Sequence, residues 1–388
     1  MRKLKSVLFT SINLLFGSYV GLAECSAQMT NPSGVDVPML LRGSVPAIEV
    51  MVNGQGPFLF AIDTGARGMA RVDSALVAKL KLQRVGKMQG GDPSGRTITM
   101  DVVQLDSIAF GGVQFNNVRA PTRDYNASGR LPKIDGILGF DLFAEYLLTM
   151  DFPAKRVQLR RGELPQADGE EVLSYESPNG TPVVELSVGS LKVKGRIDTG
   201  NSIGGFILPE SLVNKLPLAS PPIVVGMART ISSQVEIKMA SLKDSIRFGR
   251  FEFAEPKVVF PALSNDINIG SEALREFALT FDQKHNRLRL VKGRVAAVAQ
   301  PPADSEVSES QYIGCFGSRT ISLEGRELHL QRQGGPKLKL LPACKDEFGL
   351  EWISEARIRF IRSDDGNITE LHVLNRAGEW EKSKKDQA

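Results

Sequence analysis

The stretch Phe58-Leu-Phe-Ala-Ile-Asp63-Thr64-Gly65 is an apolar run that stops at a carboxylate, a hydroxyl and a glycine. An apolar run of this length, bounded by turn signals, predicts a buried strand that delivers Asp63 to its end. Gly65 permits a tight turn and close approach of other groups. Thr64 can turn its hydroxyl inward as a hydrogen-bond partner. A second stretch, Gly195-Arg-Ile-Asp198-Thr199-Gly200, ends in the same way 135 positions later.

These two stretches anchor a repeat. Residues 46–162 correspond to residues 182–293, segment by segment. Each copy opens on an alternating apolar run and reaches Asp-Thr-Gly at the end of the next one. Similar helical turns follow, at residues 72–80 and 208–216. Ser107-Ile-Ala-Phe-Gly111 answers Ser245-Ile-Arg-Phe-Gly249, and the segments 139–151 and 270–282 close the copies alike. Units of this length are too long and too few for a solenoid. They predict two lobes about a pseudo-two-fold axis, which sets equivalent residues face to face as in an isologous dimer.

That symmetry gives Asp63 and Asp198 their chemistry. Two carboxylates at close range cannot both ionise readily, so they share a proton. The ionised member can take a proton from water while the protonated one donates to the carbonyl under attack, which is general acid–base hydrolysis of an amide. Singly, each Asp reads as an ordinary turn residue; the repeat makes them a pair. Asp141, Glu272, Asp151 and Asp282 also recur, but helix-terminal and turn roles account for them.

Asp63-Thr64-Gly65-Ala66 followed by Ile137-Leu138-Gly139 resembles the signature of retropepsin-like and pepsin-like aspartic peptidases. The second copy supplies Asp198-Thr199-Gly200-Asn201 and Asn268-Ile269-Gly270. The resemblance covers about residues 40–293 and is nearest in kind to exported bacterial members with two Asp-Thr-Gly units on one chain. It implies a mostly β, bilobal acid-protease fold of two related barrel-like lobes. It also implies an aspartic endopeptidase with Asp63 and Asp198 as the catalytic pair. Thr64, Gly65, Thr199 and Gly200 would support the active-site turns. The substrate would be a peptide or unfolded protein, acted on by a monomer without metal or cofactor. A flap is expected at residues 87–100, with its tip at Asp92-Pro93-Ser94-Gly95, and a less clear counterpart near 226–235. Asn201 stands where the family usually has a small residue, and Asn268 where it has an apolar one. Asn201 either bonds the outer oxygen of Asp198 or disturbs the pair. In the second case the scaffold would be a non-catalytic peptide- or envelope-binding protein.

The rest of the chain sets bounds. A length of 388 residues predicts two or three domains. The formal net charge of +4, with no large basic block, gives no support to nucleic-acid binding. Arg2, Lys3 and Lys5 precede an apolar stretch at residues 7–22 and small residues at Cys25-Ser26-Ala27. This pattern reads as a secretory signal over residues 1–27, which implies a periplasmic or secreted protein. The competing reading is a membrane anchor, and no later segment approaches the ~20 apolar residues of a span. The expected order is then a first lobe at 28–165, a second at 166–293, a linker at 294–308 and a small antiparallel β domain at 309–388. That last domain loosely resembles lipocalin-like modules, on Tyr312-Ile-Gly-Cys-Phe316 and Ala356-Arg-Ile-Arg-Phe360. Cys315 and Cys344 would form a disulfide, which suits an oxidising compartment, or remain as buried thiols. His285, His329 and His372 show no ligand spacing, which leaves zinc and Ser-His or Cys-His chemistry without support.

Overall fold

A computed structural model of the chain describes residues 26–29, 34–91, 97–126, 133–229, 234–262, 266–293, 309–351, 353–374 and 379–386. The basic and apolar parts of the expected signal, the flap tip at 92–95 and the linker lie outside them.

The apolar run before Asp63 is the end of the strand Gln55–Asp63, in which Phe58, Phe60, Ala61 and Ile62 are buried. It pairs antiparallel with Val45–Val52 and parallel with Gly136–Gly139, where Gly139 stands opposite Asp63. The second copy repeats this. Leu191–Asp198 pairs antiparallel with Val183–Val188 and parallel with Ile267–Gly270, where Gly270 stands opposite Asp198.

Among the described residues each half forms a nine-stranded sheet, and the two sheets share a central order. In the first it runs Val113–Arg123, Ala70–Asp73, Gly136–Gly139, Gln55–Asp63, Val45–Val52, Thr97–Phe110. In the second it runs Lys257–Pro261, Phe206–Ile207, Ile267–Gly270, Leu191–Asp198, Val183–Val188, Ser245–Phe248. The sense of every pairing in the two runs matches. Ser26–Met29, which straddles the expected cleavage point, pairs with Val113–Arg123 at the edge of the first sheet.

A six-stranded sheet joins the halves. Its order is Val35–Pro38, Arg156–Arg160, Leu147–Asp151, Phe277–Asp282, Arg287–Lys292, Val172–Ser174, three strands from each half. At its centre Leu147 faces Asp282 and Asp151 faces Ala278, so Thr149 and Thr280 face each other, hydroxyl to hydroxyl, at 2.9 Å. These two threonines are equivalent in the repeat, so the pseudo-two-fold axis passes between them. Phe140 of the first half packs edge-on to Phe281 of the second at 5.2 Å and is buried. Burial of such a ring contributes about 1.5–3 kcal/mol. The outer strands Val35–Pro38 and Val172–Ser174 precede the segments where the sequence repeat is visible, so the duplication extends further than residue identity reveals.

The hairpin Arg84–Gly91/Thr97–Phe110 occupies the expected flap position. The second half builds its own hairpin, Ile223–Arg229/Gln234–Ser241. Each carries a register shift near its base, between Arg84 and Gly86 and between Val224 and Gly226. Strand pairing forms both the expected hairpin and its counterpart near residues 226–235, although turn residues advertise only the first.

Among the described residues, eight antiparallel strands in sequence order, from Gly314–Phe316 to Trp380–Lys384, form a separate sheet. It has its own core, in which Tyr312, Phe348 and Phe360 pack edge-on or tilted at 4.7–5.6 Å. Both expectations for the cysteines fail. Cys315 and Cys344 are free, and both are exposed rather than buried, because each lies where its strand faces solvent. No helix among the described residues is long and apolar enough to cross a membrane.

Candidate active site

Both Asp-Thr-Gly turns form where a buried strand runs out, and the two meet across the axis. Thr64 and Thr199 are fully buried. The Thr64 hydroxyl donates to the Ile197 carbonyl at 2.8 Å, and the Thr199 hydroxyl donates to the Ile62 carbonyl at 2.8 Å. Each hydroxyl oxygen in turn accepts the other threonine's backbone N–H, both at 3.1 Å. Four hydrogen bonds therefore lock the two strand ends together, and every buried polar group in the lock is satisfied.

The lock brings Asp63 and Asp198 together. Gly65 N–H donates to Asp63 Oδ1 at 2.8 Å, and Gly200 N–H donates to Asp198 Oδ1 at 3.1 Å. Each carboxylate also lies over the opposite glycine. A Cβ built on Gly65 would lie 2.4 Å from Asp198 Cγ, and one on Gly200 would lie 2.2 Å from Asp63 Cγ. Only glycine fits there. Gly139 and Gly270 are needed for a related reason: a Cβ on either would strike the carbonyl of Gly68 or Gly204 in the loop behind its turn, at 2.1 and 2.2 Å. Asp141 closes the first of these loops by accepting the Gly68 N–H at 2.9 Å. Ser271 holds the second turn through a hydroxyl donated to the Thr199 carbonyl.

Residues 48–142 match the family model described as aspartyl protease. The match supports an aspartic protease family. It takes in Asp63, Thr64, Gly65 and the strand Gly136–Gly139, whereas the second turn lies beyond it. A comparison with curated proteins gives no match.

The Asp63 carboxyl is pushed up to about 7, first by loss of hydration and then by the charge of Asp198, with Arg71 opposing both. A carboxyl raised in this way keeps its proton through acidic pH, the state an acid–base pair requires. Arg71 stands on Ala70–Asp73, opposite Ile137. Its charge acts on Asp63 and also on Tyr125, whose hydroxyl is raised above its ordinary value by burial. Tyr125 is placed by Asp73, a buried residue whose carboxylate accepts the Tyr125 N–H at 2.9 Å. Arg71, Tyr125 and Asp73 were not singled out from sequence. The available signal was the register of short strands, which sequence spacing does not fix.

The two asparagines act together. Asn268 Nδ2 donates to Asp198 Oδ2 at 2.7 Å, and Asn201 Nδ2 donates to Asn268 Oδ1 at 2.8 Å. Asn201 Oδ1 accepts the Ile203 N–H at 2.9 Å. Asn201 therefore neither bonds Asp198 nor intrudes on it; the outer oxygen of Asp198 is met by Asn268. The equivalent positions of the first half, Ala66 and Ile137, pack with Ala61 as a small apolar cluster.

Asp151 and Asp282 lie away from the pair. Asp151 accepts the Ala154 N–H in a turn at 2.9 Å, and Asp282 is buried and accepts the Leu164 N–H at 3.0 Å. Among the described residues no group of three or more His, Cys, Asp or Glu converges as metal ligands.

Proposed function

We propose that the chain is an aspartic endopeptidase, with Asp63 and Asp198 as its catalytic pair and Thr64, Gly65, Thr199 and Gly200 as the support of the two turns. The observation that carries the reading is the reciprocal threonine lock, with each carboxylate seated over the opposite glycine. That seat holds two like charges close together, and such a pair retains one proton.

The chemistry follows from one proton and one charge. Water between the carboxylates gives a proton to the ionised member, and its oxygen adds to the scissile carbonyl carbon. The protonated member donates to the carbonyl oxygen, giving a neutral gem-diol. Collapse returns a proton to the pair, transfers one to the leaving nitrogen and breaks the C–N bond. No covalent intermediate forms and no external cofactor enters the balance. The two titrations belong to the pair.

Because both halves lie on one chain, the site is complete in a monomer. The basic residues Arg2, Lys3 and Lys5 and the apolar stretch after them support export to the periplasm or the medium. There the substrates would be peptides and unfolded proteins. The domain reading, two lobes to residue 293 and a small β module from residue 309, is supported by the separate core of the latter.

The test is digestion of a peptide library and of a denatured protein by the purified chain from pH 3 to 8. Asp63→Asn and Asp198→Asn should each lower cleavage by at least ~10³-fold, in the range expected for loss of acid–base catalysis. Circular dichroism should show the fold retained. Undiminished cleavage by either variant defeats the proposal.

A further inference from the structure

We infer that Asn268, aimed by Asn201, positions Asp198 as the base of the pair and leaves the shared proton on Asp63. The inference rests on the peptidase reading above and adds a division of labour to it.

The direction of the hydrogen-bond chain is set by a backbone group that has no choice. Ile203 N–H can only donate, so the atom it meets on Asn201 is the carbonyl oxygen. Asn201 must then present its NH₂ to Asn268, and the atom receiving it there is again the carbonyl oxygen. Asn268 consequently presents its NH₂ to Asp198 Oδ2, 2.7 Å away. Reversing either amide would set donor against donor at one end of the chain. Asp198 thus receives Gly200 N–H at Oδ1 and Asn268 at Oδ2. Asp63 receives Gly65 N–H at Oδ1, and the positions equivalent to the asparagines are Ala66 and Ile137. Hydrogen bonds donated to a carboxylate favour its charged form. The pair is therefore unequal: Asp198 takes the proton from water, and Asp63 gives one to the carbonyl oxygen. The raised carboxyl of Asp63 agrees with this placement.

Among the described residues other charges near the pair are few. Arg71 acts on Asp63 from the strand Ala70–Asp73. Arg196, on Asp198's own strand, is paired with Asp266 at 3.0 Å. Tyr125, whose hydroxyl is raised by burial and feels the charge of Asp63, is neutral, and Thr64 and Thr199 are neutral and mutually bonded across the axis.

The test uses the full chain with Asn268→Ile, which copies the first half's Ile137, together with Asn268→Ser and Asn201→Ala. Loss of the donor should move the acid limb of kcat/KM upward by about one pH unit, the scale of one hydrogen bond to a charged group. Well below the parent's acid limb kcat should fall about tenfold with KM unchanged. Asn268→Ser retains a hydroxyl donor and should recover most of the shift. Asn201→Ala should produce part of it and add nothing to Asn268→Ile. An acid limb that stays in place in Asn268→Ile overturns the inference while the peptidase reading stands. If Asp63→Asn cleaves as well as the parent, the peptidase reading itself fails. The proton placement is then read without turnover, by ¹³C NMR titration of the Asp carboxyls. Asp198 should lose its proton first, and in Asn268→Ile it should do so at higher pH. Asp63 ionising first, or no change in the variant, overturns the inference.

Discussion

The two halves of the site share a backbone and differ in what stands behind each carboxylate. Behind Asp63, Ile137 is apolar and its cross-strand partner Arg71 is charged. Behind Asp198, Asn268 is polar and its cross-strand partner Ile207 is apolar. The polar residue has changed strands between the copies, and its chemistry has changed from a cation to an amide. A cation acts on a carboxylate through space, whereas an amide acts through one directed hydrogen bond. Duplication conserves what the backbone needs, the glycines and the lock, and leaves the neighbouring side chains free to make the two acids unequal.

The largest effects belong to the glycines of the two turns. Gly65→Ala and Gly200→Ala each drive a methyl into the opposite carboxylate, and each should lower cleavage by ~10²-fold or more, as misplacement of about 1 Å does. Equal losses sustain the symmetry of the backbone. An active Gly200→Ala would show that the second half tolerates displacement.

The lock should be symmetric as well. Thr64→Val and Thr199→Val each delete a donated hydroxyl and strand the partner's buried N–H. Each should cost about 2–4 kcal/mol in urea denaturation. Values that differ by much more than their error would assign the lock to one half.

The raised carboxyl of Asp63 makes stability depend on pH. Its folded-state carboxyl lies above the unfolded value of about 4, so between roughly pH 4 and 7 the folded chain binds more protons than the unfolded one. Stability contributed through this group therefore falls as pH rises across that window, by an amount on the order of 2–4 kcal/mol. Asp63→Asn should flatten the slope of denaturation free energy against pH. An unchanged slope means the carboxyl is not raised.

The smallest effect belongs to the joint between the halves. Thr149→Val or Thr280→Val removes one partly buried hydroxyl pair and should cost about 1 kcal/mol, with the double variant costing little more than either. Full additivity would show that the two hydroxyls do not share one bond.

Much of this was legible in residue order. Phe58-Leu-Phe-Ala-Ile62 announces a buried strand, Asp63-Thr64-Gly65 its end, and the repeat announces the partner. The apolar-apolar-Gly segment is legible because a steric demand at Gly139 and Gly270 leaves only one residue type. The second hairpin was faint, since the pairing of its strands carries no clear turn signature in residue order. The state of Cys315 and Cys344 was not legible at all, because the face a strand shows to solvent is a matter of how its sheet packs.

Residue order was enough for the mostly β class, the duplication and the two Asp-Thr-Gly turns, since each depends on local pattern or on a residue type that alone fits. The unequal hydrogen bonding of the two carboxylates came only with the fold. Asn201 and Asn268 are 67 positions apart, and the contact between them and Asp198 arises where two parallel strands set Gly270 beside Asp198. The physical reason is that hydrogen-bond direction passes from Ile203 N–H to a carboxylate through side chains that only register brings within reach.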